Sequence, residues 1–206
     1  MGKPVINSNQ DLYDLDARND PFLAEYEKAR DLLQTSEWRR GLQEIERLAY
    51  GGSIMSILLV SDAMRAGWMY DQDLSGAEAW YRTAVDSGSA RGLFGLGLTY
   101  LLMDRYVEAI RQLEAAIDRN YPPALNALAG MYFRGDGVPI DVRRAVKLWR
   151  KGASLGHLPS KRNLVQQSLR GRLGPWSYVL GAISLLPVVV EMAIVRTTNR
   201  FTDRLR

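Results

Sequence analysis

The chain has 206 residues, of which 47% are hydrophobic, so it is long enough for one or two domains and apolar enough for a buried core. It contains no cysteine, which excludes a disulfide framework and a thiolate zinc site. The net charge is +4, but 8 of the 27 basic and only 2 of the 23 acidic residues lie in residues 157–206. Residues 1–156 are therefore slightly acidic. This distribution argues against binding along a nucleic-acid backbone, which would require basic residues spread over the repeats.

Residues 1–20 have several acidic residues and no apolar run. They match neither a secretory signal nor a mitochondrial transit peptide, and we expect them to form a mostly irregular leader. Pro21 suits the first turn of a helix, which the sequence predicts over residues 21–37. A partner helix is predicted from Glu37 to Tyr50.

One helical pattern occurs four times between residues 41 and 156. Each copy closes on Gly or Asn, the residue types that tolerate the left-handed conformation at a helix end. Small or apolar residues stand 3, 4, 7 and 11 positions before each closing residue, and these positions share one helical face. The closing residues lie 36, 32 and 36 positions apart, which predicts stacked helical hairpins. They are Gly52, Gly88, Asn120 and Gly156.

The clearest hairpin comprises two predicted helices, Ala124 to Arg134 and Asp141 to Ser154. It carries ALAGMY at 127–132, the turn GDGV at 135–138 and RAVKLWRKGASLG at 144–156. These residues resemble a Sel-one-like repeat, a relative of the tetratricopeptide repeat with a longer interhelical turn. Residues 89–120, with LGLTY, resemble an ordinary tetratricopeptide repeat, and residues 53–88 match mainly through GAEAWYRTAVDSG.

The resemblance covers roughly residues 53–170. It implies an all-α fold, an α-solenoid of four to five helical hairpins that we place at residues 21–170. The leucines at 158, 164 and 169 indicate a capping helix, because the end repeats of a solenoid need a polar outer face. The family implies interaction or assembly, with bacterial membrane and envelope complexes among its settings.

Residues 171–206 form a separate, basic-flanked C-terminal segment. Residues 176–195 carry one charge in 20 residues, enough for a helix of about 30 Å that matches a hydrocarbon core. Either a spanning helix kinked at Pro187 or a re-entrant segment fits; a helix that caps the solenoid or forms a dimer contact is the alternative. The residues expected in the membrane are Trp176, Tyr178, Leu180, Leu185, Leu186, Pro187, Val189, Glu191 and Ile194, and those expected at lipid headgroups are Arg170, Arg172, Arg196 and Arg200.

Nothing in the sequence predicts catalysis. The single histidine, His157, follows a helix-closing glycine and has no marked partners, so we interpret it as a helix-end residue. Residues 135–137 lack the Lys and Ser/Thr of a phosphate loop and are interpreted as a turn. We expect no cofactor, no metal and no small-molecule substrate.

Tetratricopeptide-like packing would line a largely apolar concave groove with the first helix of each hairpin. Such a groove suits an amphipathic helix or an extended peptide, unless its side chains pack against each other. The residues expected to bind a partner there are Met55, Leu58, Asp62, Arg65, Arg91, Phe94, Leu98, Leu101, Asn126 and Phe133.

The sequence therefore favours a non-catalytic adaptor that binds a protein partner, expected to be a subunit of a membrane complex. The C-terminal helix would hold it at the cytoplasmic face of a membrane, the inner membrane in a bacterium, since no N-terminal signal is present. Two alternatives stay open. One is a regulatory subunit whose C-terminal helix packs against the transmembrane helices of an enzyme, with Glu191 facing a cation. The other is a soluble repeat protein whose C-terminal helix docks in its own groove or forms a homodimer.

Overall fold

The computed structural model of the chain describes residues 16–170, and all secondary structure in this range is helical. Nine helices of 10 to 13 residues follow a single helical turn at residues 16–18. The all-α prediction is therefore confirmed. The helices are α1 (Leu23–Leu32), α2 (Trp38–Tyr50), α3 (Ile54–Ala66), α4 (Leu74–Asp86), α5 (Ala90–Leu102), α6 (Tyr106–Asp118), α7 (Pro122–Arg134), α8 (Val142–Ser154) and α9 (Leu158–Leu169).

Successive helices pair into four hairpins, α1–α2, α3–α4, α5–α6 and α7–α8, and α9 packs on α7 and α8. The first helices of neighbouring hairpins also contact each other, so α1, α3, α5, α7 and α9 form one row. Each hairpin buries its apolar face only against its neighbours, which is the packing of a solenoid. The predicted solenoid of four to five hairpins is thus confirmed.

The repeated helix template explains the burial of α2, α4, α6 and α8. The backbone φ is positive at all four closing residues: 95° at Gly52, 89° at Gly88, 59° at Asn120 and 80° at Gly156. The residues 4, 7 and 11 positions before each closing residue are buried in all four helices. These twelve residues are Gly41, Ile45, Leu48, Ala77, Tyr81, Ala84, Ala109, Leu113, Ala116, Ala145, Trp149 and Gly152.

Small residues on α5 permit close helix contacts. A Cβ atom added to Gly97 would lie 3.0 Å from Leu113 Cδ2 and 3.3 Å from the Ala109 carbonyl oxygen, so this glycine permits α5 to lie close to α6. A Cβ atom on Gly95 would overlap the ring of Tyr81 on α4. This second contact, between successive hairpins, was not predicted.

The leader differs from the sequence-based expectation at residues 16–20, which pack against the solenoid. Asp20 Oδ2 accepts hydrogen bonds from Ser53 Oγ at 2.8 Å and from the Met55 backbone N–H at 2.7 Å, at the start of α3. Asp16 Oδ2 accepts one from Ser89 Oγ at 3.0 Å, at the start of α5. Both aspartates are buried. Asp20 satisfies a backbone N–H in the first turn of α3, where such groups have no partner within the helix, and Asp16 binds the hydroxyl of the residue that caps α5.

The predicted membrane segment lies outside the described residues. This applies to Trp176, Tyr178, Leu180, Leu185, Leu186, Pro187, Val189, Glu191 and Ile194, and to Arg172, Arg196 and Arg200 among the expected headgroup residues. Arg170 is described, and it is exposed at the C-terminal end of α9. Within residues 16–170, no helix combines the length and apolar character that crossing a membrane requires.

Candidate binding cavity on the inner face of the solenoid

A cavity of about 630 Å³ opens on the inner face at the C-terminal end of the described range. Helices α5, α7 and α9 form its walls, and Trp149 is the one lining residue from α8. Its volume is within the range of about 300–1,000 Å³ that is usual for ligand sites. The lining residues are Phe94, Leu98, Leu101, Pro123, Asn126, Ala127, Gly130, Phe133, Arg134, Trp149, His157, Pro159, Asn163, Gln167 and Arg170.

The structure distributes the ten predicted groove residues over three environments. Five of them, on α5 and α7, line the cavity together: Phe94, Leu98, Leu101, Asn126 and Phe133. In the sequence, these are the five predicted groove residues that follow Arg91. Their role in binding a partner stays a prediction.

Met55 and Leu58 do not line a groove. Their side chains are 1% and 0% exposed, so both belong to the hydrophobic core. Helix α3 is covered because it contacts α1, α2, α4 and α5, and because Asp20 of the leader binds at its first turn. The expectation that these two side chains point into an open groove was wrong.

Arg65 and Arg91 both bind Asp62. Asp62 Oδ1 accepts from Arg65 Nη2 at 3.2 Å, and Asp62 Oδ2 accepts from Arg91 Nη2 at 2.7 Å. The hydroxyl of Tyr81 also donates to Asp62. Burial, and then the neighbouring Asp62 carboxylate, raise the pKa of Tyr81, so the phenol stays protonated. This part of the predicted groove is thus occupied by contacts among its own side chains.

Two buried polar atoms at the cavity lack a hydrogen-bond partner. Trp149 Nε1, a donor, and Gln167 Oε1, an acceptor, are the buried side-chain atoms without one among residues 16–170. The two residues are only 2% and 8% exposed, and both line the cavity. An unpaired buried group of this kind costs about 1–3 kcal/mol, so native proteins keep few of them. Both atoms have almost no accessible surface, so they lie beneath the wall of the cavity and are not presented to a ligand as the wall stands.

The other polar side chains of the wall are held in place. Asn163 Nδ2 on α9 donates to Asn126 Oδ1 on α7 at 2.9 Å, which ties the two walls together. His157 caps the N-terminus of α9, because its Nδ1 accepts from the Ser160 backbone N–H at 3.3 Å. Burial lowers the pKa of His157, which favours the neutral ring that can accept this bond. His157 thus marks the start of α9 and has a capping role.

The contribution of α9 was missed at the sequence level, where this helix was expected only to cap the solenoid. Pro159, Asn163, Gln167 and Arg170 all line the cavity. They are 4, 4 and 3 positions apart, which puts them on one face of the helix. That spacing is visible in the sequence, and it could have identified the polar wall.

The cavity end of the solenoid is strongly basic. Residues 142–170, which contain α8 and α9, have eight basic residues and no acidic one. Arg134 at the rim is paired with Asp136 through Nε at 2.8 Å, whereas Arg170 has no acidic partner among the described residues. Within the described range, no group of three or more His, Asp or Glu side chains is arranged to hold a metal ion. The cavity and its basic surroundings are thus suited to binding a partner.

A comparison with known protein families matches two of these repeat units. The Sel1 repeat family model matches residues 59–89 and 122–157. The first match covers most of α3 and all of α4, and the second covers α7 and α8. No curated protein is significantly similar to this chain.

Solved structures show the same architecture. A Sel1 repeat protein from Oxalobacter formigenes is 19% identical with a TM-score of 0.60, over 76% of this chain and 69% of that protein. A sel1 repeat protein from Klebsiella pneumoniae is 20% identical with a TM-score of 0.54, over 84% of each chain. At these identities the likeness establishes the fold alone.

A protective antigen of uropathogenic Escherichia coli strains, which displays an SLR fold, is 25% identical with a TM-score of 0.55. The match covers 68% of this chain but only 31% of the antigen, so this chain spans about a third of that protein's length. Sel1-repeat proteins are typically non-catalytic scaffolds for protein interaction. The resemblance read from the sequence is confirmed, since the Sel1 repeat model matches residues 59–89 and 122–157, and these residues lie in a helical solenoid.

Proposed function

We propose that this chain is a non-catalytic adaptor whose inner cavity binds a segment of a protein partner. The observation that supports this most directly is that α5 and α7 bring five of the predicted groove residues together in one cavity, beside the polar face of α9. Solenoid proteins commonly use their concave face for such binding.

The walls fit the side chains of such a segment. Phe94, Leu98 and Phe133 provide apolar contact, while Asn126 and Asn163 fix the width between α7 and α9. Apolar walls with a few placed polar groups are the usual composition of a recognition site. Arg170, a lining residue of α9 with no acidic partner among the described residues, favours a partner segment with an acidic side chain.

We further propose that residues 176–195 hold the adaptor at the cytoplasmic face of a membrane, where the partner is a subunit of a membrane complex. The length of this segment, its single charge and its basic flanks support the proposal. The test compares the full-length chain with a chain that ends at Arg172, after fractionation of cells and a carbonate wash. The full-length chain should stay with the membrane and the shortened one should not; equal distribution of the two would refute membrane anchoring.

The binding proposal is tested with a matched pair of substitutions. Leu98→Asp places a charge in the cavity wall, whereas Val107→Asp makes the same change at a side chain that is 77% exposed on α6. Tagged full-length proteins are used to capture partners from detergent extracts, and the captured proteins are quantified by mass spectrometry. We expect Leu98→Asp to reduce specific partners at least about tenfold while Val107→Asp keeps them. Equal capture by two well-folded variants would refute a role for the cavity.

A further inference from the structure

The leader contacts the N-terminal ends of two successive first helices in a regular register. Asp20 binds at Ser53, the residue that caps α3, and Asp16 binds at Ser89, which caps α5. Four leader residues therefore correspond to one step from a hairpin to the next. Followed toward its N-terminus, the leader moves from α3 to α5, in the direction of α7 and the cavity.

The next step of four residues reaches Leu12, and the next first helix is α7. The first residues of α7 differ from those of α3 and α5, since its capping residue is Tyr121 and two prolines follow. Tyr121 makes no side-chain capping bond and packs on Phe94 with ring centroids 5.2 Å apart. An apolar leader residue matches this apolar start, as the aspartates match the serines.

We propose that residues 11–15 of this chain, DLYDL, dock in the cavity, with Leu12 against the start of α7. This inference rests on the proposed function in taking the cavity as a binding site, and it names an occupant that the chain itself provides. A partner would then have to displace residues 11–15 to bind.

The reach of the segment is sufficient. Asp16 is bound at Ser89, at the start of α5, and packed neighbouring helices lie about 8–10 Å apart. Four residues in an extended conformation span about 13 Å. Leu12 can therefore reach the start of α7 without any change at Asp16.

The chemistry of the segment also matches the site. Leu12, Tyr13 and Leu15 suit the apolar walls, and Asp11 and Asp14 bring negative charge to a cavity whose lining includes Arg134 and Arg170. Because the segment is tethered at Asp16, its effective concentration at the cavity is in the millimolar range.

The absence of native cysteine allows a direct test by disulfide cross-linking in the full-length protein. Leu12→Cys is combined with Asn126→Cys in the cavity or, as a matched control, with Val107→Cys on the exposed face of α6. A disulfide requires Cα atoms within about 7 Å. After mild oxidation we expect a bond within one chain for the first pair, formed at least about tenfold faster than for the second.

Three results would overturn the inference. The first is equal oxidation rates for both pairs, and the second is a bond that joins two chains, which would point to a second copy as the occupant. The third is a Leu185→Cys and Asn126→Cys pair that cross-links in place of the leader pair, which would assign the cavity to the C-terminal segment.

A second measurement does not depend on disulfide geometry. The indole N–H resonance of Trp149, assigned by its loss in Trp149→Phe, should shift in Leu12→Glu and stay unchanged in Ile6→Glu, which alters the leader outside residues 11–15. An unchanged resonance in both variants contradicts the inference. The two proposals can be refuted separately. If Leu98→Asp loses its partners but the leader does not cross-link, only the docking of the leader is refuted. If the leader cross-links but Leu98→Asp still captures all partners, only the adaptor function of the cavity is refuted.

Discussion

Removal of the Asp20 carboxylate should destabilise the protein far more than its place at the edge of the first hairpin would indicate. The side chain is 6% exposed and accepts three hydrogen bonds, from the Phe22 N–H at 2.8 Å, Ser53 Oγ at 2.8 Å and the Met55 N–H at 2.7 Å. In Asp20→Ala the Met55 N–H stays buried without a partner, which costs about 1–3 kcal/mol. The lost charge-assisted bond from Ser53 adds a similar amount, so we expect a total of about 3 kcal/mol.

The assay is urea unfolding of the full-length protein, followed by circular dichroism at 222 nm. Asp20→Asn should lose about half as much stability, because its carbonyl oxygen still accepts from Ser53 or Met55 while its amide faces a donor. Asp31→Ala is the matched control: this aspartate forms an ion pair with Arg30 at 3.3 Å, and its side chain is 72% exposed, so we expect a loss below about 0.5 kcal/mol. A loss under about 1 kcal/mol for Asp20→Ala, or equal losses at positions 20 and 31, would refute the reasoning.

Two further predictions concern α5 and α9. Gly95→Ala should lower the free energy of unfolding by about 1–3 kcal/mol, because the new Cβ atom overlaps the Tyr81 ring. In Gly97→Ala the new Cβ atom lies 3.0 Å from the Leu113 side chain and 3.3 Å from the Ala109 carbonyl oxygen, so we expect a change below about 1 kcal/mol. Equal effects of the two substitutions in urea unfolding would contradict the packing argument. Because burial lowers the pKa of His157, the unfolded chain binds a proton at this residue at higher pH than the folded chain does. The stability advantage of the wild type over His157→Asn should therefore shrink as the pH falls from 7.5 to 5.5, by at most about 1.4 kcal/mol per pH unit. A constant difference in the free energy of unfolding across this range would show that His157 does not titrate as proposed.

The sequence predicted the repeat well because the repeat depends on local information. The conformation of Gly88 or Asn120 at a helix end is determined by residues within one turn, and the buried face of α4 by spacings of three to eleven residues. These relations repeat four times, so each copy supports the others.

Contacts between distant residues could not be predicted in this way. Asp16 binds a serine 73 positions away and Asp20 one 33 positions away, and no local pattern distinguishes these aspartates from those of an irregular leader. The same limit explains the error at Met55 and Leu58, since the template gives the face of α3 but not what covers it. Trp149 is buried at a position of the repeat template, seven residues before Gly156, but its unpaired Nε1 becomes visible only in three dimensions.

The two leader aspartates also affect how the solenoid unfolds. In an array of repeats each unit interacts only with its neighbours, and stability is close to a sum of local terms, so the ends fray independently. Asp20 and Asp16 connect one continuous strap to the first turns of α3 and α5, and α1 follows directly in the chain. We therefore expect the first three hairpins to open together as one cooperative unit. The fourth hairpin and α9, which hold most of the cavity, have no such clamp among the described residues and can adjust to a ligand without weakening the rest of the array.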